Sequence, residues 1–285
     1  MRTQALFEFM RERHAIYQRR MQGKSKPWTK DKILQQYRFC NVYRELDTVT
    51  QWIGKNWRLP HRSDPNLWFT MCVARLVNWP DTLQALGYPV PWSLKHFLEV
   101  MRERSEGGKA WGGAYIVSTN GNEMEKADYI GSRVLGPLWA DRNAIQADIY
   151  GHPSDAHKPT LATVHNALTN YIGLGSFLAA QVIADLKYVA PLRDAADWHT
   201  WAASGPGSKR GLNRVYEYAV DCPMPEARWL DHLQNLHKHI EPLVKKADMP
   251  RLHAQDLQNC LCEFDKYERT RLGEGRPRSK YPGGA

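Results

Sequence analysis

Long apolar runs are missing from this 285-residue chain. No stretch approaches the roughly 18 apolar residues that span a bilayer, which excludes a helical membrane protein. The opening segment MRTQALFEFMRERHAIY carries charge inside its apolar stretch, so it does not read as a secretory leader. Cysteine is scarce and odd in number: Cys40, Cys72, Cys222, Cys260 and Cys262 have no framework spacing and read as reduced thiols in a cytosol. Cys260 and Cys262 are separated by one residue, not by the two of a zinc or redox pair. Neither His152, Asp155 and His157 nor His232, His237 and His239 have metal-ligand spacing, so no metal and no cofactor is expected. Gly23-Lys24-Ser25 lacks the glycine a Walker loop needs five residues earlier, where Gln18 stands, and this excludes a nucleotide-binding P-loop. Strand signals are as scarce, with AYIVST (114–119) the only convincing candidate, and no repeat or low-complexity segment occurs. These absences leave an all-α chain.

What is present is positive charge. The net charge is +9 and the pI about 9.3, against an ordinary 42% hydrophobic and 24% charged composition. A basic protein of this kind meets a polyanion, and nucleic acid is the leading candidate. The length fits one large or two modest domains.

Helical periodicity predicts an amphipathic helix over 3–22, followed by a lysine-rich stretch, and a second helix over 33–53 that mixes Arg38, Asn41, Arg44, Glu45 and Asp47 into an apolar face. Such polar groups must pair if buried, either as structural ion pairs or as the wall of a pocket. A core helix over 66–79, a proline-started helix after Trp79 and an amphipathic helix over 92–104 precede a glycine-rich insertion at 105–123. Further helices are expected at 124–130, 136–149, 225–246 and 252–272. The last carries Gln255, Gln258, Asn259, Glu263, Asp265, Lys266 and Arg269. Gly205 to Gly211 (GPGSKRG) reads as a turn whose amides, with Ser208, Lys209 and Arg210, can cradle a phosphate, or as a plain surface turn.

The stretch LATVHNALTNYIGLGSFLAAQVIADLKYV (161–189) has two helical periods separated by Gly173-Leu174-Gly175. Glycines allow a sharp turn and close approach of a ligand to the backbone. Ser176 is a plausible N-cap for the second helix, whose amides then form an anion site. A DNA-binding hairpin and an ordinary helical hairpin both fit this pattern.

The segment Tyr171-Ile-Gly-Leu-Gly-Ser-Phe-Leu-Ala179 resembles the hairpin of the helix-hairpin-helix DNA glycosylase superfamily. That superfamily places an aspartate about twenty residues after the second glycine, and Asp194 and Asp197 both fall in that window. Phe177 stands where bifunctional members carry a nucleophilic lysine, so lyase chemistry is not supported. The strings RERHAIYQRR, YRFCNVYREL, AYIVSTNG, GPGSKRGLNR and QNCLCEFDKYER, with the terminal PRSKY, resemble the α-glutamyl/putrescinyl thymine pyrophosphorylase group. These amino acid:DNA transferases of phage thymine hypermodification are related to the helical domain of 5-hydroxymethyluracil DNA kinases.

The resemblance implies an all-α glycosylase-like unit over 1–285 with two helical lobes and a cleft. The lobes would be 1–158, with the glycine-rich insertion, and 159–285, with the hairpin and the final helices. It implies replacement of the phosphate or pyrophosphate on phosphorylated 5-hydroxymethyluracil in DNA by an amino acid or polyamine amine. The partners would be double-stranded DNA with a flipped base, the free amine and a 5-hydroxymethyluracil DNA kinase, in the cytoplasm of a bacterial host.

For that chemistry Asp197 and Glu263 are the expected bases, with Lys266 as a further catalytic group. Arg44, Arg210, Lys266 and the amides of Gly205 to Ser208 would stabilise the leaving group, and Arg38 or Arg269 would hold the amino acid carboxylate. Asn41, Ser208 and Asn259 complete the substrate contacts. Gly173, Gly175, Ser176 and Lys209 would hold DNA phosphates, and Trp198 and Trp201 would stack on bases. A covalent route through Cys262 is a minor alternative. Two other readings stand beside the transferase: a monofunctional glycosylase of a modified base, and a non-catalytic DNA-binding partner of the kinase.

Overall fold

The structure is a computed structural model that describes residues 1–113, 119, 121–151, 158–277 and 279–281. Its helices are α1 Thr3–Met21, α2 Lys32–Gln36, α3 Thr48–Ile53, α4 Leu67–Val77, α5 Pro80–Leu86, α6 Leu94–Glu106, α7 Lys126–Tyr129, α8 Gly136–Ala140, α9 Arg142–Tyr150, α10 Leu161–Leu168, α11 Ser176–Leu186, α12 Pro206–Tyr216, α13 Glu226–Lys246 and α14 Ala254–Arg271. Among the described residues there is no strand, only an isolated antiparallel bridge between Tyr37 and Lys280. The expected strand AYIVST lies largely outside the described residues, as do His152, Asp155 and His157. No described helix is long and apolar enough to cross a membrane.

The chain divides into two compact units, Met1–Asp47 with His199–Ala285, and Thr48–Trp198. The boundary expected at 158/159 is therefore replaced by two, at 47/48 and 198/199. The hairpin belongs with the middle of the chain, while the N-terminal and C-terminal helices share one core.

In the first unit that core is built from Leu6, Phe7 and Met10 of α1, Leu212 and Val215 of α12, Trp229, Leu233 and Ile240 of α13, and Leu257, Leu261 and Phe264 of α14. Each set recurs at the three- and four-residue spacing that lays apolar side chains on one helical face. The expected turn GPGSKRG is instead the start of α12. Pro206 sits in the first helical turn, where its missing N–H costs nothing, and the Ser208 hydroxyl accepts from the Gly205 amide at 2.9 Å. The glycines serve packing. A Cβ on Gly207 would lie 2.5 Å from Cys262 Sγ, and one on Gly211 would lie 2.0 Å from the Leu261 carbonyl oxygen. The two helices are thus in backbone contact along a glycine edge.

The 33–53 helix is also corrected. Helix α2 ends at Gln36, residues 37–43 lie outside any helix with Tyr37 and Tyr43 in extended conformation, and Arg44–Leu46 form a short 3-10 helix. Burial there alternates at first, with Tyr37 and Phe39 inside and Arg38 and Cys40 outside.

In the second unit every residue of α4 is buried, as a helix apolar on all sides must be. Its one charge, Arg75, is fork-bonded to Asp185 of α11, with both N···O distances 2.6 Å, and also donates to the Thr50 hydroxyl at 3.1 Å. Removing either member of such a buried pair strands the other, at a cost of about 3–5 kcal/mol. The pair locks α4 to α11, the second helix of the hairpin.

Candidate functional site

The hairpin is built from α10 and α11. Leu161, Val164 and Leu168 on the first helix and Leu178, Val182 and Ile183 on the second are buried, and Leu174 between the glycines is fully enclosed. Gly173 has φ +84, and a Cβ there would lie 2.6 Å from Val134 Cγ1, so conformation and space both demand glycine. Gly175 is different: its φ is −55, and nothing lies within 4 Å of a Cβ built on it. Its N–H and those of the following residues stand at an exposed helix start, flanked by exposed Ile172 (67%) and Phe177 (48%). A helix N-terminus carries partial positive charge and outward amides, which suits an anion. Gly175, not Ser176, is the N-cap; the Ser176 hydroxyl lies 3.3 Å from His165 Nε2.

Asp197 does not stand ready as a base. Its two carboxylate oxygens accept from the Leu161 and Ala162 amides at 2.8 and 2.9 Å, capping α10. Thr160 and Thr163 complete that cap reciprocally. Asp194 is exposed and paired with the neighbouring Arg193 at 3.3 Å. The Trp198 indole donates to the Lys187 carbonyl at 2.6 Å, and Trp201 is buried, so neither is an exposed stacking ring.

In the first unit, α14 carries four buried carboxylates, each with matched partners. Asp256 accepts from the Arg44 amide at 3.0 Å and faces His253 Nδ1 at 2.8 Å. Glu263 accepts from the Cys40 amide at 2.8 Å and from Lys266 Nζ at 2.5 Å. Asp265 gathers Arg210 at 2.9 Å, Arg214 at 2.9 Å and Arg269 at 3.3 Å. Glu268 holds Arg2 at 2.8 Å and Arg271 at 2.7 Å. Burial alone would raise the Glu268 carboxyl, but hydrogen bonds from Arg271 and Arg2 outweigh it and hold the group below its ordinary value.

One face of α14 also explains why residues 38–43 stay out of a helix. Lys266 Nζ donates to the Arg38 carbonyl (3.1 Å), Glu263 accepts from the Cys40 amide, and Asn259 Nδ2 donates to the Asn41 carbonyl (3.2 Å). Cys260 Sγ faces the Val42 carbonyl at 3.6 Å, and Asp256 accepts from the Arg44 amide. Positions 256, 259, 260, 263 and 266 share a helical face, so five side chains act as a rack for the main chain of 38–44. Asn41 closes the far side: its Oδ1 accepts from Arg13 at 2.7 Å, its Nδ2 donates to the Leu46 carbonyl at 2.8 Å, and its amide donates to Asp47 Oδ1 at 2.9 Å.

The structure therefore brings Asn41, Asn259, Glu263 and Lys266 together. Arg38 projects to solvent with its guanidinium 5.6 Å from the Tyr281 ring centroid. Arg44 joins through its amide. Ser208 is fully buried with its hydroxyl committed to Gly205, so it is not a substrate contact. Arg210 and Arg269 belong to the Asp265 cluster, and Lys209 lies 3.8 Å from Glu226.

Two residues of this face were passed over as site residues by sequence reasoning. The Asp47 carboxyl is raised above its ordinary value, chiefly by burial, against the Asn41 amide and Arg44, and with Glu263 adding a like charge. Cys40 is exposed, and the Glu263 carboxylate pushes its thiol well up. Cys262 is pushed up to about 11 by burial and then Glu263, and it packs where Gly207 leaves room, which argues against a thiolate nucleophile there. Among the described residues no His, Cys, Asp and Glu group has the geometry to hold a metal ion.

Comparison with known proteins now gives the class. The family described as "5-hmdU DNA kinase, helical domain" matches residues 1–276, and the chain belongs to it. A protein named 5-hmdU DNA kinase, from Bacillus phage SP10, is 31% identical over 230 residues, covering 72% of this chain and 35% of that protein. The match thus spans about a third of that relative's length. No solved structure matches.

Proposed function

We propose that this chain modifies thymine-like bases in phage DNA, replacing the phosphate or pyrophosphate on the 5-methylene group of phosphorylated 5-hydroxymethyluracil with the amine of an amino acid or polyamine. The family match over residues 1–276 carries the reading, because it takes in both the hairpin and the α14 rack. The phage relative is named for a 5-hmdU DNA kinase, and a kinase of that type would supply the phosphorylated base. This chain has no Walker loop and takes the step after it, in the bacterial cytoplasm.

The 5-methylene carbon is poorly accessible inside a base stack, so the nucleotide is flipped out, with a flanking phosphate held by Lys209. The amine lone pair forms the new C–N bond as the C–O bond to phosphate breaks, and the bonding pair leaves with the phosphate. Lys266, Arg38 and Arg44 supply positive charge that counts most as the phosphate departs. The proton lost by the amine passes to a carboxylate. Asp47 takes that role in place of Asp197, because its raised carboxyl is closer to neutrality, with Glu263 beside it.

The test is incubation with DNA containing phosphorylated 5-hydroxymethyluracil and a pool of amino acids and polyamines, followed by mass spectrometry of the nucleosides. A nucleoside that has lost phosphate and gained one amine, abolished in Asp47→Asn, supports the proposal. An abasic site would replace it with glycosylase chemistry, and unchanged DNA would leave a binding partner of the kinase.

A further inference from the structure

The first unit has a second feature that the proposed reaction does not use. Between α1 and α2 the chain makes a hook through Lys24, Lys26, Trp28 and Lys30, and the returning segment 279–281 closes over it. Arg38 donates its amide to the Ser279 carbonyl and Tyr281 donates to the Gln36 carbonyl, both at 3.0 Å, and these bonds fix the Tyr281 ring beside the hook. Its centroid lies 6.3 Å from that of Trp28, edge to face.

The two rings wall a cavity of about 520 Å³ with Ile16 and Leu34 at its base and Lys26 and Lys32 at its mouth. A second recess of about 500 Å³ shares Pro27, Trp28 and Thr29 with the first and is lined also by Lys30. Both fall within the roughly 300–1,000 Å³ of ligand pockets. Cations crowd the rings: Lys26 Nζ is 5.4 Å from the Trp28 centroid and 5.6 Å from that of Tyr281, and Arg20 lies 5.3 Å from Trp28. The acidic lining residues are already engaged, Glu12 by Arg19 and Asp31 by Tyr267 and the α2 amides. An apolar-floored cleft with aromatic walls and a lysine rim matches a ligand with flat rings joined by phosphates.

We propose that this hook is a binding site for single-stranded DNA, with a base stacked against Trp28 and Tyr281 and the flanking phosphates at Lys26, Lys30 and Lys32. Aromatic faces accept any base, and lysines track the backbone without reading sequence. The site is separate from the α14 rack and independent of whether the chain transfers an amine.

The experiment is fluorescence anisotropy of a labelled, unmodified oligo-dT of about 12 nucleotides with the full chain, with thymidine monophosphate as competitor. Trp28→Ala should weaken binding about tenfold, and Trp28→Phe should retain most of it. Lys26→Glu with Lys32→Glu, both on exposed side chains, should weaken it further and flatten the salt dependence. Lys95→Glu, a charge reversal on the exposed side of α6, should leave oligo-dT binding unchanged. If Trp28→Ala and the double glutamate variant both bind within about twofold of the unaltered chain while melting normally, the site is refuted. Equal affinity for the free nucleotide would also refute it, by assigning the cavity to a small molecule.

Discussion

Two pairs of glycines look alike in the sequence and do different work. Gly207 and Gly211 lie on the edge of α12 where it meets α14, and every ångström beside them is filled: Cys262 Sγ and the Leu261 carbonyl occupy the space a side chain would need. Gly173 and Gly175 lie at the hairpin. The first is fixed by its left-handed backbone and by Val134, and the second faces open space. A glycine forced by packing reports on stability. One that neither packing nor backbone angle requires, as at Gly175, can be changed without disturbing the fold and so tests for a ligand directly.

Substitutions should separate these cases. Gly211→Ala should be the most damaging, since its methyl would press on backbone and not on a flexible side chain; a loss of about 3 kcal/mol is expected in urea unfolding. Gly173→Ala should cost somewhat less, about 2 kcal/mol, because Val134 can yield while the positive φ remains unfavourable. Gly175→Ala should leave stability within about 0.5 kcal/mol yet weaken duplex DNA binding. Ser176→Glu should weaken it roughly fivefold by setting negative charge at the positive end of α11. If Gly175→Ala binds DNA normally, the open position serves no ligand.

The smallest effect tests the ion pairs of α14. Glu268 has a folded-state carboxyl below its ordinary value of 4.5, so it releases its proton more readily folded than unfolded. Its contribution is present above that value and is lost as the pH falls through the folded one. The stability advantage of the unaltered chain over Glu268→Gln should therefore shrink on acidification below about 4.5 in pH-dependent melts.

Much of the helical layout was legible because α1, α6, α13 and α14 carry their period in their own residues. The segment 37–43 was not. Its apolar spacing also fits a helix, but the groups that satisfy its non-helical backbone come from residues 256–266, far along the chain. GPGSKRG has the composition of a turn, and tertiary contact with α14 overrides it. At the candidate site, Glu263 and Lys266, chosen from the sequence for catalysis, and Asn41 and Asn259, chosen for substrate contacts, lie together, since dense polarity within an apolar helix demands partners. Asp197 carries the right residue type and spacing, and only the position of the α10 amides shows it to be a cap. Asp47 went unselected because nothing local reveals its burial.

The rack on α14 grips residues 38–44 almost entirely by carbonyls and amides, which every amino acid supplies in the same place. Side chains at Arg38 and Cys40 are consequently released from any duty of holding the segment. A collection of variants randomised at these two positions should keep the fold while changing what the surface recognises. The architecture thereby separates heritable change in specificity from the risk of unfolding.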